Sequence, residues 1–344
     1  MTPVRVLVVD DSATMRALLR RSIDGADGIE VVGEASNPLD AREKIKQLDP
    51  DVITLDIEMP NMNGLEFLSK IMRLRPTPVI MVSNLTQPGA AATLTALEIG
   101  AFDCISKPNG AQGNTFETLP PMIREAAKSK RQLATRVAPK APSPSAVEAR
   151  PSVARHGGWP DIIGVGSSTG GVEALMNLLS GFPADCPPTL IVQHLPAAFT
   201  GSFAARLNRI CKAEVAEAQN GEAIAPGRVY LAPGGKHLAV KGRAGVGLRC
   251  ILTDEDTVQG HRPSVDVLFH SISAAGIRNM TGVILTGMGR DGADGLLAMR
   301  RQGARTMAQD EATSLVYGMP RVAFEIGAAE RRVPLGRIAE QIFA

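Results

Sequence analysis

Residues 4–12 read Val-Arg-Val-Leu-Val-Val-Asp-Asp-Ser. A short, almost wholly apolar, β-branched run ends abruptly in two carboxylates. Such a run suits a parallel strand buried on both faces, and the acids mark its carboxyl end. The pattern then repeats outward. Apolar runs at 29–35, 52–56, 79–83 and 104–106 alternate with helical patterns at 14–24, 38–48, 64–74 and 89–99, and a last helix is predicted over 116–127. Five strands alternating with five helices predict a doubly wound (βα)5 parallel sheet, a flavodoxin-like arrangement. Ligands of such sheets lie beyond the carboxyl ends of the strands.

Five polar side chains fall on four of those ends. Asp10 and Asp11 follow the first strand, Asp56 closes the third, Ser83 the fourth, and Lys107 follows the fifth. One Asp after a strand is ordinarily a turn or cap residue; the set, in this order, is not accounted for that way. Three converging carboxylates repel and resist ionisation. A hard divalent cation removes that cost, and Mg²⁺ suits few carboxylates with water and phosphate. Asp56 is then a nucleophile towards phosphorus, Lys107 a cation for phosphoryl oxygens, and Ser83 a hydroxyl beside them.

These residues, with Asp56-Ile-Glu-Met-Pro-Asn-Met-Asn-Gly64 and Ser106-Lys107-Pro108, resemble the receiver domain of two-component response regulators over residues 1 to about 125. The resemblance implies that Asp56 is the phosphoacceptor. It also implies that Asp11, Asp56 and the Glu58 carbonyl hold Mg²⁺, with Asp10 assisting through water. Cys104 stands where receivers usually carry an aromatic switch residue, with Phe102 nearby.

A second composition follows. Residues 128–155 hold four Pro, six Ala and four Ser, and seven basic residues against the single acid Glu148, a net charge of +6. This stretch reads as a semi-extended linker. The domains are expected at 1–127 (receiver), 128–158 (linker) and 159–344 (catalytic).

After the linker, Asp161-Ile-Ile-Gly-Val-Gly-Ser-Ser-Thr-Gly-Gly171 runs from a strand through a Gly/Ser turn into a helix. A dinucleotide fingerprint needs a third Gly where Thr169 stands and an acid at the end of the next strand, which instead ends in Gln193-His194. The alternative is G-x-S-x-G over 166–170, which holds a serine hydroxyl at the top of the sheet. Its central position favours Ser168 over Ser167. His194 lies on the same rim as a base. The loop Thr286-Gly-Met-Gly-Arg-Asp-Gly-Ala-Asp-Gly295, after an expected strand at 283–286, offers Asp291 to orient the imidazole, with Asp294 as its rival. The order Ser…His…Asp is not that of α/β-hydrolases. Further strands are expected at 162–165 and 190–193, with helices at 171–179, 199–208, 265–275 and 293–301. Residues 215–253 read as an antiparallel extension of a mainly parallel sheet.

The receiver joined to GSSTGG, QHLP, HRPSVDVLFHS and ILTGMGRDGADG closely resembles the chemotaxis response-regulator protein-glutamate methylesterases across essentially the whole chain. The resemblance implies Ser168 as nucleophile, His194 as general acid/base, Asp291 as its orienter and backbone N–H groups, that of Met288 included, as the oxyanion hole. It implies hydrolysis of glutamate methyl esters on methyl-accepting chemotaxis receptors with release of methanol, and deamidation of particular receptor glutamines. A chemotaxis histidine kinase is the implied phosphodonor. The unphosphorylated receiver is expected to cover the Ser168 rim until Asp56 is phosphorylated.

The remaining composition fits. Lys and Arg number 37 and Asp and Glu 35 among 344 residues. So even a charge, with so few aromatics, speaks against a nucleic-acid partner and a DNA-binding regulator. The cysteines, at 104, 186, 211 and 250, form no Cys-x-x-Cys pair, which indicates neither a zinc site nor a disulfide framework. The N-terminus does not read as a signal peptide and no apolar run spans a bilayer. A cytoplasmic monomer is expected, with no membrane insertion and no cofactor for the esterase step. Arg206, Arg262 and the linker cations are candidate receptor contacts.

Overall fold

The computed structural model describes residues 2–59, 63–84, 87–108, 115–136, 148–149, 158–243, 245 and 247–344. Most of the expected linker, 137–147 and 150–157, lies outside the described residues. The chain divides into two compact units, Met1–Ser143 and Pro144–Ala344. Among the described residues no helix is long and apolar enough to cross a membrane.

The first unit is a five-stranded sheet of β1 (Val4–Val9), β2 (Ile29–Ala35), β3 (Val52–Asp56), β4 (Val79–Ser83) and β5 (Asp103–Ser106), in the order β2-β1-β3-β4-β5. All its pairings are parallel. Five helices join or follow the strands: α1 (Ala13–Asp24), α2 (Pro38–Leu48), α3 (Gly64–Leu74), α4 (Gln87–Ile99) and α5 (Leu119–Arg136). Val6, Leu7, Val8, Val9, Val52, Ile53 and Leu55 are wholly buried, as an apolar run covered on both faces requires. Ser12 and Asn37 cap α1 and α2 by accepting N–H bonds from Met15, and from Leu39 and Asp40. Strand order reverses between β1 and β3, so the crevice opens beyond Asp10 and Asp56. Gly64 is needed there because a Cβ would sit 2.2 Å from the Asp56 carbonyl oxygen.

The second unit is built on an eight-stranded sheet. Its strands are β6 (Glu148–Ala149), β7 (Ile162–Ser167), β8 (Thr189–Gln193), β9 (Glu214–Glu217), β10 (Arg228–Leu231), β13 (Met280–Ile284), β14 (Arg305–Gln309) and β15 (Arg331–Val333), in the order β6-β15-β14-β13-β7-β8-β10-β9. All neighbours are parallel except the short edge strand β6 on β15. The helices are α6 (Gly171–Ser180), α7 (Ala197–Ile210), α8 (Val265–Ala274), α9 (Ala293–Arg301), α10 (Met319–Glu325) and α11 (Leu335–Phe343).

The antiparallel part is a separate hairpin of β11 (His237–Arg243) and β12 (Gly247–Thr253). It is not continuous with the main sheet. Its Val240 N–H donates to Ser271 Oγ of α8 at 2.8 Å. β9 and β10, expected within that antiparallel region, join the sheet in parallel. Strands of four residues carry no periodicity that separates the two modes of pairing. The strand expected at 283–286 ends at Ile284, which leaves Thr286 free to begin the rim loop.

Candidate active site

An acidic pocket is assembled at the ends of β1, β3 and β5. One carboxylate oxygen from each of Asp10, Asp11 and Asp56 lies within 4.8 Å of the others. Asp10 and Asp56 are buried and Asp11 is exposed. Lys107 Nζ sits 2.8 Å from Asp56 Oδ2 and 3.0 Å from Asp10 Oδ2. Burial pushes the Asp56 carboxyl up to about 6, helped by the Asp10 charge and opposed by Lys107 and the Glu58 N–H. Burial draws Lys107 down, but its bonds and charges with Asp56 and Asp10 outweigh that and raise it. One ammonium facing three carboxylates leaves an excess of negative charge, the donor set a hard divalent cation takes. Ser83 is buried, with its Oγ donating to the Asn84 carbonyl and accepting from Thr93 Oγ1. Glu58 reaches Asn84 Nδ2 through Oε2. Cys104 is partly exposed on β5, and Phe102 is buried just before that strand.

The serine loop closes β7. Its two hydroxyls point to different fates. Ser167 is fully buried and its Oγ donates to Gln193 Oε1 at 2.7 Å, so that hydroxyl is committed to the interior. Ser168 is half-buried. Its N–H donates to the Thr286 carbonyl at 3.0 Å, tying the loop to the rim beyond β13. Ser167 pairs with Gln193 in the β7–β8 register, so Ser168 and His194 leave adjacent strands side by side. The His194 N–H bonds the Ser167 carbonyl at 3.2 Å. Gln193 Nε2 donates to the carbonyls of both Ser168 (2.9 Å) and His194 (3.3 Å). One buried amide thus braces the backbone of both.

His194 Nε2 lies 2.8 Å from Asp291 Oδ2. Its Nδ1 is buried and has no hydrogen-bond partner among the described residues. Asp291 is buried at the N-terminus of α8, where it accepts from Ser264 Oγ (2.7 Å), the Val265 N–H (2.7 Å) and the Asp266 N–H (3.1 Å). Burial alone would raise its carboxyl. The bond and charge of His194, then the Val265 N–H and Ser264, outweigh that and hold it below the usual range. The rival Asp294 is exposed and bound by both oxygens to Arg290 Nη2 at 2.9 Å. The rim loop passes against the serine, since a Cβ on Gly287 would stand 2.8 Å from Ser168 Cβ. Met288 follows directly.

A family model, CheB methylesterase, matches residues 163–342, and a second, the response regulator receiver domain, matches residues 6–114. A protein-glutamate methylesterase/protein-glutamine glutaminase of Rhizobium johnstonii is 56% identical over 341 residues, covering 99% of this chain and 96% of its own. The one from Caulobacter vibrioides is 56% identical over 343 residues, covering 99% and 98%. The crystal structure of the Thermotoga maritima CheB methylesterase catalytic domain superposes with a TM-score of 0.52 at 36% identity, covering 53% of this chain and 97% of that one. The chain belongs to the CheB methylesterase family. It carries a receiver domain ahead of the catalytic domain.

In this family member several groups around the rim escape sequence reasoning. Ser264 both caps α8 and bonds Asp291. Gln309, at the end of β14, accepts the Thr286 N–H at 2.8 Å and fixes the start of the rim loop. His261 lies face to face with His194. Arg262, read as a receptor contact, has its Nη1 on the carbonyls of Asp254 and Glu255 at 2.9 Å. The partly buried Arg206 belongs to α7.

Proposed function

We propose that this chain hydrolyses glutamate methyl esters and glutamine side-chain amides of chemotaxis receptors through Ser168, His194 and Asp291. The single observation that carries the reading is the position of His194. It stands beside Ser168 on adjacent strand ends, with one ring nitrogen on a buried carboxylate and the other unclaimed.

The chemistry follows from those groups. Asp291 accepts from Nε2–H, which leaves the lone pair of His194 on Nδ1. Ser168 Oγ attacks the ester carbonyl carbon and its proton passes to Nδ1. The C–O bond to methoxide then breaks, and Nδ1–H protonates the leaving group as methanol. Water attacks the acyl-Ser168 carbon, gives a proton to Nδ1, and the Oγ–C bond breaks with return of that proton to Ser168. A glutamine amide follows the same path with ammonia as leaving group. Asp291 holds the ring and stabilises the imidazolium. The Met288 N–H is assigned to the developing oxyanion. No cofactor is assigned to this step.

The receiver supplies control. Asp56 carboxylate attacks the phosphorus of a kinase phosphohistidine, the P–N bond breaks, and Lys107 meets the phosphoryl oxygens, with Ser83 beside them. Asp11, Asp56 and the Glu58 carbonyl are the residues that would hold Mg²⁺, with Asp10 through water. When bound, Mg²⁺ supplies positive charge against the carboxylates and the phosphoryl group. Phosphorylation of Asp56 relieves inhibition of the catalytic domain. The assignment takes 1–127 as receiver, 128–158 as linker and 159–344 as catalytic domain, in a cytoplasmic monomer.

The test is methanol release from a methylated receptor fragment. Ser168→Ala is expected to abolish it, by roughly 10³-fold or more. Ser167→Ala, at a hydroxyl bonded to Gln193, is expected to retain it. Equal release by wild type and Ser168→Ala would overturn the assignment.

A further inference from the structure

The rings of His194 and His261 stack with centroids 3.7 Å apart and planes inclined by only 9°. Among the described residues His194 has one in-plane tether, the 2.8 Å bond from Nε2 to Asp291. That bond leaves the ring able to swing about it, and Nδ1 has no bond to stop the swing. A flat group against its face supplies the missing restraint. We propose that His261 is a positioning residue for the hydrolysis, clamping the His194 ring so that Nδ1 faces Ser168 while Nε2 stays on Asp291.

The loop carrying His261 is built for rigidity. His261 and Val258 exchange backbone bonds in both directions, at 2.9 and 3.1 Å. Between them Gln259 adopts a positive φ of 53°. Its side chain donates to Asp266 Oδ2 at 3.0 Å. Asp266 belongs to α8, the helix whose N-terminus holds Asp291. Arg262 Nη1 closes the loop on the carbonyls of Asp254 and Glu255. The clamp on the face of His194 and the carboxylate on its edge thus share one support.

The electrostatics agree. Burial, reinforced by the His194 charge and opposed by Asp291, pushes the His261 imidazole down to about 4. At neutral pH it is uncharged, and it stays so when His194 takes up the Ser168 proton. An uncharged aromatic face accepts a cation against it; a lysine or arginine there would repel the imidazolium. This assignment rests on the roles given above to Ser168, His194 and Asp291.

The test uses the full chain with Mg²⁺ and acetyl phosphate, a methylated receptor fragment, and ¹⁵N NMR of the histidine rings. His261→Phe keeps a flat face without a titrating nitrogen. His261→Leu keeps comparable bulk without the face. The Phe chain is expected within about threefold of wild-type kcat, and the Leu chain at least about tenfold lower with KM held, the pattern of a lost orientation rather than lost binding. The Nε2–H resonance of the His194–Asp291 bond is expected to remain sharp in the Phe chain and to broaden in the Leu chain. A Leu chain as fast as wild type overturns the clamp, as does a Phe chain as slow as the Leu chain. Should the Leu chain fail to fold, two readings still decide: a tenfold loss in the Phe chain, or a wild-type His194 proton on Nδ1, would sink the inference. Ser168→Ala runs in parallel. Its retention of activity would remove the underlying reading, whereas an inactive Ser168→Ala beside a fully active His261→Leu would remove only the clamp.

Discussion

His194 turns Nε2, rather than Nδ1, towards Asp291, at 2.8 Å. In the proposed mechanism this relationship decides which nitrogen is left to serve Ser168, and it depends on α8. That helix begins at Val265 beneath the carboxylate, and its first N–H groups point at Asp291. A buried acid so supplied with donors stays ionised. An ionised acid in turn selects the Nε2–H tautomer. The three groups act in series, from helix terminus to carboxylate to imidazole.

Asp291→Asn tests that series. The amide keeps the size but loses the charge, and it can present N–H to Nε2, which favours the other tautomer. The kcat for methanol release is expected to fall roughly 10⁴-fold, as for a comparable change in another hydrolytic triad, with KM little altered. Activity within tenfold of wild type would show that Asp291 does not select the tautomer.

Asp56 sets a pH dependence for the receiver. Its folded carboxyl is pushed up to about 6 from an ordinary 3.8. For an acid raised in the fold, the ionised form costs stability. The cost is absent below about pH 4, grows between pH 4 and 6, and is complete above. Asp56→Asn removes it. In EDTA the receiver transition of Asp56→Asn is expected to be more stable than wild type by about 1–3 kcal/mol at pH 7.5. At pH 4 the difference is expected to be near zero. Urea unfolding at the two pH values checks this, and an equal advantage at both would contradict it.

Gly171 is a packing constraint on the catalytic backbone. A Cβ there would stand 1.9 Å from Gln193 Oε1 and 2.8 Å from Ser167 Cβ. Gln193 is the amide that bonds the Ser168 and His194 carbonyls. Gly171→Ala is therefore expected to destabilise the catalytic domain by about 1–3 kcal/mol and to lower kcat along with stability. Denaturant unfolding and methanol release on the same preparation measure both. A fully active, fully stable variant would mean that the amide can move without consequence.

The reach of the sequence is clear from particular residues. Val4–Val9 and Val52–Asp56 were legible because a strand buried on both faces is a continuous apolar run. Asp10, Asp56, Ser168 and His194 were legible because each closes or directly follows such a run. Asp291 could be preferred over Asp294 from the sequence, because Asp294 falls at the start of the next helix, but the α8 N-terminus that holds Asp291 and the Arg290 that binds Asp294 are visible only in the fold. His261, Gln193 and Gln309 act through contacts across the rim, and no local pattern announces such a contact. β15 has only three residues, too few to show a period. The parallel pairing of β9 with β10 is set by the whole sheet, not by the residues of either strand.

The thiols give a final expectation. Cys186, Cys211 and Cys250 are buried. Burial, its largest cause in each, pushes the Cys186 thiol up to about 11 and that of Cys250 to about 12, and raises Cys211. Because the thiolate is the reactive form, at pH 8 only about one in a thousand Cys186 side chains is ionised, and fewer of Cys250. Both attack and access are thus suppressed in the folded chain. Iodoacetamide at pH 8 is expected to leave these three unmodified over a time in which guanidinium-unfolded chain reacts at all of them. Peptide mass mapping reads these three separately from Cys104, a partly exposed residue whose thiol is also raised well above its ordinary value by burial and the Asp103 charge. Rapid native labelling at Cys186 or Cys250 would mean that the catalytic domain opens around its core far more often than its packing implies.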